Sequence, residues 1–173
     1  MGKHEWYECI WRIKCLNKSG KLVWEQERSN ILVDEGEKAV VDTFFRKNDS
    51  LYFAFNNFWT GLYKGTVSEE TTLVAISTLE PPAPALYGYS RLQIERSSVG
   101  FPYSPEKYEG HYRVTTKEVS LTAVGGDIGP INGAFLCTSS DNSGVLIGAV
   151  SIDPERTILA GETIYFQLKM RQK

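Results

Sequence analysis

The chain has 173 residues, 42% of them hydrophobic and 12% aromatic, and 19 basic against 21 acidic side chains leave a net charge of -2. That is ample apolar material for one core in a single domain spanning 1–173, and too little net charge, with acids and bases interleaved, to draw the protein to nucleic acid or to an anionic bilayer. No apolar stretch approaches transmembrane length. The start MGKHEWYEC has no signal-peptide-like apolar run, and Trp6 stands where myristoylation needs Ser or Thr, so synthesis and retention in a cytosol are expected.

Cys9, Trp11, Ile13 and Cys15 alternate with Glu8, Arg12 and Lys14, interrupted in polarity only by Ile10, which is the period of a strand with one buried face. Asn17-Lys18-Ser19-Gly20 supplies a turn, and Lys21 to Arg28 returns as a second strand with Leu22 and Trp24, predicting a hairpin. Asp34 with Glu37 has the form of an N-cap and its capping-box partner. Ala39, Val40, Val41, Phe44 and Phe45 follow on one side of a helix that should run from about Asp34 to Arg46 and lie across one sheet. Asp34, Glu35, Glu37 and Asp42 could be read as a carboxylate site, but helix N-termini favour acids for electrostatic reasons alone.

Leu51 to Leu62 concentrates Tyr52, Phe53, Phe55, Phe58 and Trp59 around Asn56-Asn57. This predicts a strand, a bend at the asparagines, and a second strand into WTGLY with mostly buried rings; an exposed platform for sugars or bases is the alternative. From Lys64 to Pro84 the composition turns to Thr, Ser, Glu and Pro, with a short helical turn around Glu70 to Ile76 and then Glu80-Pro-Pro-Ala-Pro84. A long irregular segment stiffened by proline is expected to reach away from the body as an arm (about 64–84), mobile in the free protein. Tyr87 to Ile94 reads as the next strand. Ser97 to Gly110, with Phe101, Pro102, Tyr103, Pro105 and Tyr108, reads as an irregular excursion, and alternation resumes from His111 to Ala123. From Val119 to Gln172, GGDIGPINGAFL, SGVLIGAV and AGETIYFQLKM are apolar runs too short for helices, punctuated by glycine, and they predict consecutive antiparallel strands. The fold class is therefore mainly β: an antiparallel β-sandwich or jelly-roll-like barrel with an N-terminal hairpin, one covering α-helix and roughly six to eight further short strands.

The order of these phrases resembles a recurrent kind of small tailed-bacteriophage virion protein. In that group a strand (here Val119 to Ala123) enters a Gly-Gly-Asp turn (Gly125-Gly126-Asp127), followed by a "gaFL" strand (Gly133 to Leu136). A polar loop then leads to a "vLIG" strand (Gly144 to Gly148), and Gly161-Glu162-Thr163 opens the closing strand. The N-terminal half is similar to the same group in its Trp-rich hairpin, in NILVDEG (Asn30 to Gly36) opening a helix, and in WTGLYKG (Trp59 to Gly65). The resemblance implies a virion structural protein, made in a bacterial cytoplasm and incorporated into the particle. It assigns no catalytic residue.

The residues agree in offering poor material for chemistry. GxSxG, P-loop, HExxH and GxGxxG patterns are all missing from the sequence. His111 could serve Ser104 or Cys137 as a base, but a lone histidine between Gly110 and Tyr112 fits a surface or packing role better. Asp127 suits the side-chain-to-backbone bonding that turns select, and Asp141-Asn142-Ser143-Gly144 has too few oxygen ligands for calcium. His4 and His111 have no ligand-spaced neighbours, and Cys9, Cys15 and Cys137, odd in number, are expected to be free thiols. The expectation is a non-enzymatic protein without metal or cofactor. It would work by packing against other virion proteins (capsid or tail) and copies of itself, as a head decoration or cement-type accessory, with no nucleic-acid or membrane partner. The interface candidates are Trp59, Tyr63, Pro81, Pro82, Pro84, Tyr87, Phe101 and Tyr103. A tail, neck or fibre-base component is the nearest alternative. A carbohydrate-binding module stacking sugars on Trp59, Tyr63, Tyr87 and Tyr89 is the rival from another class.

Overall fold

The computed structural model describes residues 7–45, 56–81 and 87–172. The N-terminal alternation forms β1 (Tyr7–Leu16), and the chain returns antiparallel as β2 (Leu22–Ser29). Asn17 holds the turn with its own carboxamide, whose Oδ1 accepts from the backbone N–H of Ser19 and of Lys21 at 3.0 Å each. Next come β3 (Ile31–Leu32), α1 (Asp34–Phe45), β4 (Asn57–Tyr63), α2 (Leu73–Ser77), β5 (Leu92–Glu95) and β6 (Glu106–Tyr108). They are followed by β7 (His111–Thr115), β8 (Val119–Thr122), β9 (Ile128–Cys137), β10 (Leu146–Ile158) and β11 (Thr163–Gln172). All pairings are antiparallel. One six-stranded sheet runs β2-β1-β11-β7-β6, with β8 also on β11, and a five-stranded sheet runs β3-β10-β9-β4-β5.

The two sheets make a sandwich because each presents an apolar face to the other. Trp11, Ile13, Phe166 and Leu168 from the six-stranded sheet meet Leu62, Ile94, Ile131, Leu136, Val150 and Ile158 from the five-stranded one. Trp11 and Phe166 stack edge to face with centroids 6.4 Å apart, a geometry that adds to simple burial.

The five-stranded sheet is covered on its other face as well. Tyr63, Phe135, Cys137, Leu146 and Ala149 form a second apolar cluster beneath Val33, Val67, Leu73 and Ile76. α1 packs on β10 through Gly36, where a Cβ would overlap the carbonyl of Ile147. Glycine inside a helix costs about 1 kcal/mol relative to alanine, and here the close approach requires it. Gly133 and Gly61 play the same part within strands, leaving room for the rings of Tyr63 and Phe135.

Several expectations need correction. The helix lies where it was expected, but Asp34 is already in its first turn, and its N–H donates to Glu69 O at 2.8 Å while Glu37 N–H donates to Val33 O at 2.9 Å. The capping box is therefore replaced, on one side by a contact to the neighbouring loop and on the other by the helix's own bond to Val33. Val41 is exposed rather than on the buried side with Ala39, and the side chains of Phe44 and Phe45 lie outside the described residues. So does the strand expected before Asn56-Asn57. The segment from Lys64 to Pro81 is laid down on the sheet instead of reaching outward, because Val67, Leu73 and Ile76 are buried there. Pro82 and Pro84 lie outside the described residues.

The strand expected from Tyr87 shrinks to β5, since Gly88 takes a left-handed φ of 72° and Arg91 is drawn into a buried network. The excursion from Ser97 to Gly110 ends in β6, which pairs with β7 across a turn where Glu109 and Gly110 take φ of 49° and 87°. The run from His111 to Ala123 is two strands, β7 and β8, both on β11.

Candidate functional site

The interface candidates do not converge. Tyr63 is only 2% exposed, with its hydroxyl donating to Val150 O at 3.3 Å, so its ring belongs to the second cluster and is unavailable to a partner. Pro81 is buried too, and Trp59 and Tyr87 are half-buried. Phe101 is half-buried edge-on against Phe58, with centroids 6.3 Å apart. Of the described candidates Tyr103 alone is well exposed, at 59%. Tyr89 is also buried, which removes two of the four rings from the stacking surface considered for sugars.

The densest chemistry lies around Arg91, a residue that sequence reasoning passed over. Its guanidinium Nη2 meets Glu80 Oε1 at 2.5 Å, and Nε reaches the same oxygen at 3.1 Å. Nη1 donates to Ser139 O at 3.1 Å and to Asp141 O, Nη2 donates to Asn142 Oδ1 at 3.1 Å, and the plane stands 5.2 Å from the Phe135 ring centroid. Tyr89 donates its hydroxyl proton to Glu80 Oε2 at 2.5 Å and accepts from Leu62 N–H at 3.0 Å. Burial, reinforced by the Glu80 charge, holds the Tyr89 hydroxyl well above its ordinary pKa. Each guanidinium nitrogen thus has a protein acceptor. The arrangement joins the end of the 64–81 segment to β5 and to the β9–β10 loop, and it is built to hold these three pieces together rather than to receive a ligand. An arginine inside an aromatic-rich strand pattern, YGYSRLQI, was the available signal.

The other titratable candidates are also occupied locally. Asp127 accepts from Ala160 N–H at 2.7 Å, tying the turn after β8 to the turn before β11. Asp141 accepts from the N–H of Ser143 at 2.8 Å and from its hydroxyl at 2.6 Å, and these bonds lower its pKa. Glu35, part of the acidic run at the start of α1, accepts from the N–H of Leu73 at 3.0 Å and of Leu146 at 2.9 Å through one oxygen. Glu162 accepts from Leu159 N–H at 2.9 Å. His111 is exposed on β7 in one sheet and Cys137 is buried on β9 in the other, so they do not form a nucleophile and base pair. All three cysteines are free and buried. Burial pushes the Cys137 thiol up to about 11 and the Cys15 thiol up to about 12, and raises Cys9 further. Such thiols are poor nucleophiles. Among the described residues no three His, Cys, Asp or Glu side chains are grouped to hold a metal ion, and no helix is long and apolar enough to cross a membrane.

The solvent face of the six-stranded sheet is a lattice of ion pairs. Arg12 pairs with Glu25, Lys14 with Glu118 at 2.6 Å, Lys169 with Glu27 at 3.1 Å, Arg113 with Glu106 at 2.6 Å, and Arg171 with Glu8 at 2.6 Å and Glu109 at 2.9 Å. Among the described residues, exposed aromatic side chains instead occur from the excursion after β5 into the β6–β7 edge. Tyr112 is 68% exposed and Tyr108 42%, close in sequence to Tyr103. Tyr108 is fixed by Arg113, 4.2 Å from its ring centroid, and by Arg171 at 5.8 Å. No family model, curated protein or solved structure matches this chain.

Proposed function

We propose that the protein is a non-enzymatic structural component of a tailed-bacteriophage particle, packing against neighbouring subunits as a head decoration or cement-type accessory. The observation that carries this reading is the β6–β7 edge, which exposes Tyr108 on one face and Tyr112 on the other, with Tyr103 exposed in the segment that leads into it. Large aromatics with few rotatable bonds supply much of the binding energy of protein interfaces. β6 adds an exposed strand that ends this sheet among the described residues, an edge suited to extending a neighbour's sheet. The glycine-punctuated phrases from Val119 to Thr163 support the particle assignment, and the engagement of Asp127, Glu162 and Arg91 in structural bonds supports a role without turnover. The carbohydrate reading is weakened, because a stacking surface needs Tyr63 and Tyr89 in solvent.

A tail, neck or fibre-base position makes the same demand on the surface, and one experiment separates it from the head. Particles purified from the source would be split into heads and tails and their peptides quantified by mass spectrometry. Multi-copy recovery with heads is the expected result. Recovery with tails would move the assignment to the alternative, and absence from both would overturn it.

A further inference from the structure

The segment that follows β4 is closed on itself: Lys64 N–H donates to Leu79 O at 2.9 Å. Residues 64–79 therefore form a compact Ω-type loop, with α2 inside it and Val67, Leu73 and Ile76 on its underside. These three side chains all belong to the second cluster, and the loop contributes no buried residue to the core between the sheets. Lifting it would strip one face of β4, β9 and β10 and leave the sandwich intact. Polar fastenings add to these apolar contacts. Glu35 accepts from Leu73 N–H and at the same time from Leu146 N–H, Gly65 N–H donates to Asn132 Oδ1 at 2.8 Å, and Asp34 N–H donates to Glu69 O. At the entry to the loop Gly65 takes a φ of 83°, a conformation that glycine adopts without steric cost.

We propose that residues 64–79 act as a latched cover that opens as a unit while the two-sheet core stays folded, with the Glu35 carboxylate as the latch. Proteins open in contiguous cooperative units whose free energies lie below that of global unfolding, and a unit that owns its apolar contacts separately from the main core meets that condition. Cys137 belongs to the cluster under the loop, with its Sγ also against Ser139 O at 3.2 Å and Arg91 Nη1 at 3.7 Å, whereas Cys9 and Cys15 lie between the sheets, so the loop amides report the opening and the thiols distinguish it from opening of the core.

The test is native-state hydrogen exchange of the full chain, paired with thiol labelling resolved by peptide mass spectrometry. The amides of Leu73 and Ile76 and the Cys137 thiol should open together, at least about tenfold more readily than Cys9 and Cys15. Glu35→Ala removes a charged acceptor from two N–H groups and should raise Cys137 labelling on the order of ten- to a hundredfold. Labelling of Cys9 and Cys15, which also reports that the variant is folded, should be unchanged. Equal labelling of all three thiols, or a variant that accelerates all three alike, would overturn the proposal. So would fast Cys137 labelling without exchange in the loop, because the thiol would then be reached through the β9–β10 loop instead.

Discussion

The Glu80–Arg91 pair offers the sharpest quantitative test of how the outer layer is joined to the sandwich. The Arg91 side chain is 5% exposed and that of Glu80 14%, so neither charge can turn to bulk water if its partner is removed. Breaking a buried pair from one side costs about 3–5 kcal/mol. Glu80→Ala should fall at or below the low end, about 2–3 kcal/mol, because Arg91 keeps the carbonyls of Ser139 and Asp141, the Asn142 oxygen and the Phe135 face. Arg91→Met should cost about 3–4 kcal/mol, since Glu80 keeps only Tyr89 among these partners and the β9–β10 loop loses its anchor. The double variant leaves no orphaned charge, so it should cost no more than Arg91→Met alone, giving a coupling energy of about 2 kcal/mol or more. Urea denaturation of the four proteins, followed by tryptophan fluorescence with a shared slope, measures the cycle. Additivity to within about 0.5 kcal/mol would mean that the two side chains do not act as a unit and would refute this account.

Gly133→Ala should destabilise by about 2 kcal/mol or more, because the added Cβ would overlap both Val150 O and the Tyr63 ring; a thermal midpoint equal to wild type would contradict the packing. Gly36→Ala should also destabilise, although alanine favours helix by about 1 kcal/mol, because the Cβ would overlap the β10 backbone at Ile147; a stabilised variant would show that α1 packs less closely. The thiols give a pH signature. Their folded pKa values lie above the unfolded value of 9.0, so their contribution is complete below pH 9 and is lost as pH rises toward 11 for Cys137 and 12 for Cys15. The limiting slope is about 1.4 kcal/mol per pH unit per thiol, and Cys137→Ala should lower the measured loss between pH 9 and 11; an unchanged pH dependence would refute the assignment. Tyr103→Ala with Tyr112→Ala should weaken assembly onto particles while leaving the urea midpoint of the isolated protein within about 0.5 kcal/mol of wild type; retained assembly would remove these tyrosines from the interface.

The parts of the fold that were legible in advance are those governed by local periodicity. Cys9, Trp11, Ile13 and Cys15 all face inward as their spacing requires, and α1 starts at Asp34, where the acidic run is a local signal. The misreadings share one physical cause, which is that the deciding partner lies far along the chain. Residues 64–81 have an irregular composition, and nothing local announces that Leu73 and Ile76 would be covered by burial against a second face of the sheet. Gly133 and Gly148 look like punctuation but lie inside β9 and β10, where glycine leaves space for the Tyr63 ring and the Asn30 side chain. Glu35 looked like one acid among several at a helix start, where the macrodipole already explains it. Its role depends on the backbone of Leu146, which is remote in sequence.

That difference also explains why the candidate surface was only partly visible. Aromatic richness near glycine turns pointed to Trp59, Tyr63 and Phe101, but those rings have intramolecular places: Trp59 and Tyr63 lie on the covered face of β4, and Phe101 sits against Phe58. The rings left in solvent, Tyr108 and Tyr112, stand on β6 and β7 at the sheet edge, where no further strand covers them among the described residues. Composition marks which residues can anchor a partner, but topology decides which of them the fold has already used. In this chain the covering layer over β4, β9 and β10 engages Trp59 and Tyr63, and among the described residues the β6–β7 edge is where exposed aromatic side chains and a sheet-edge strand occur together.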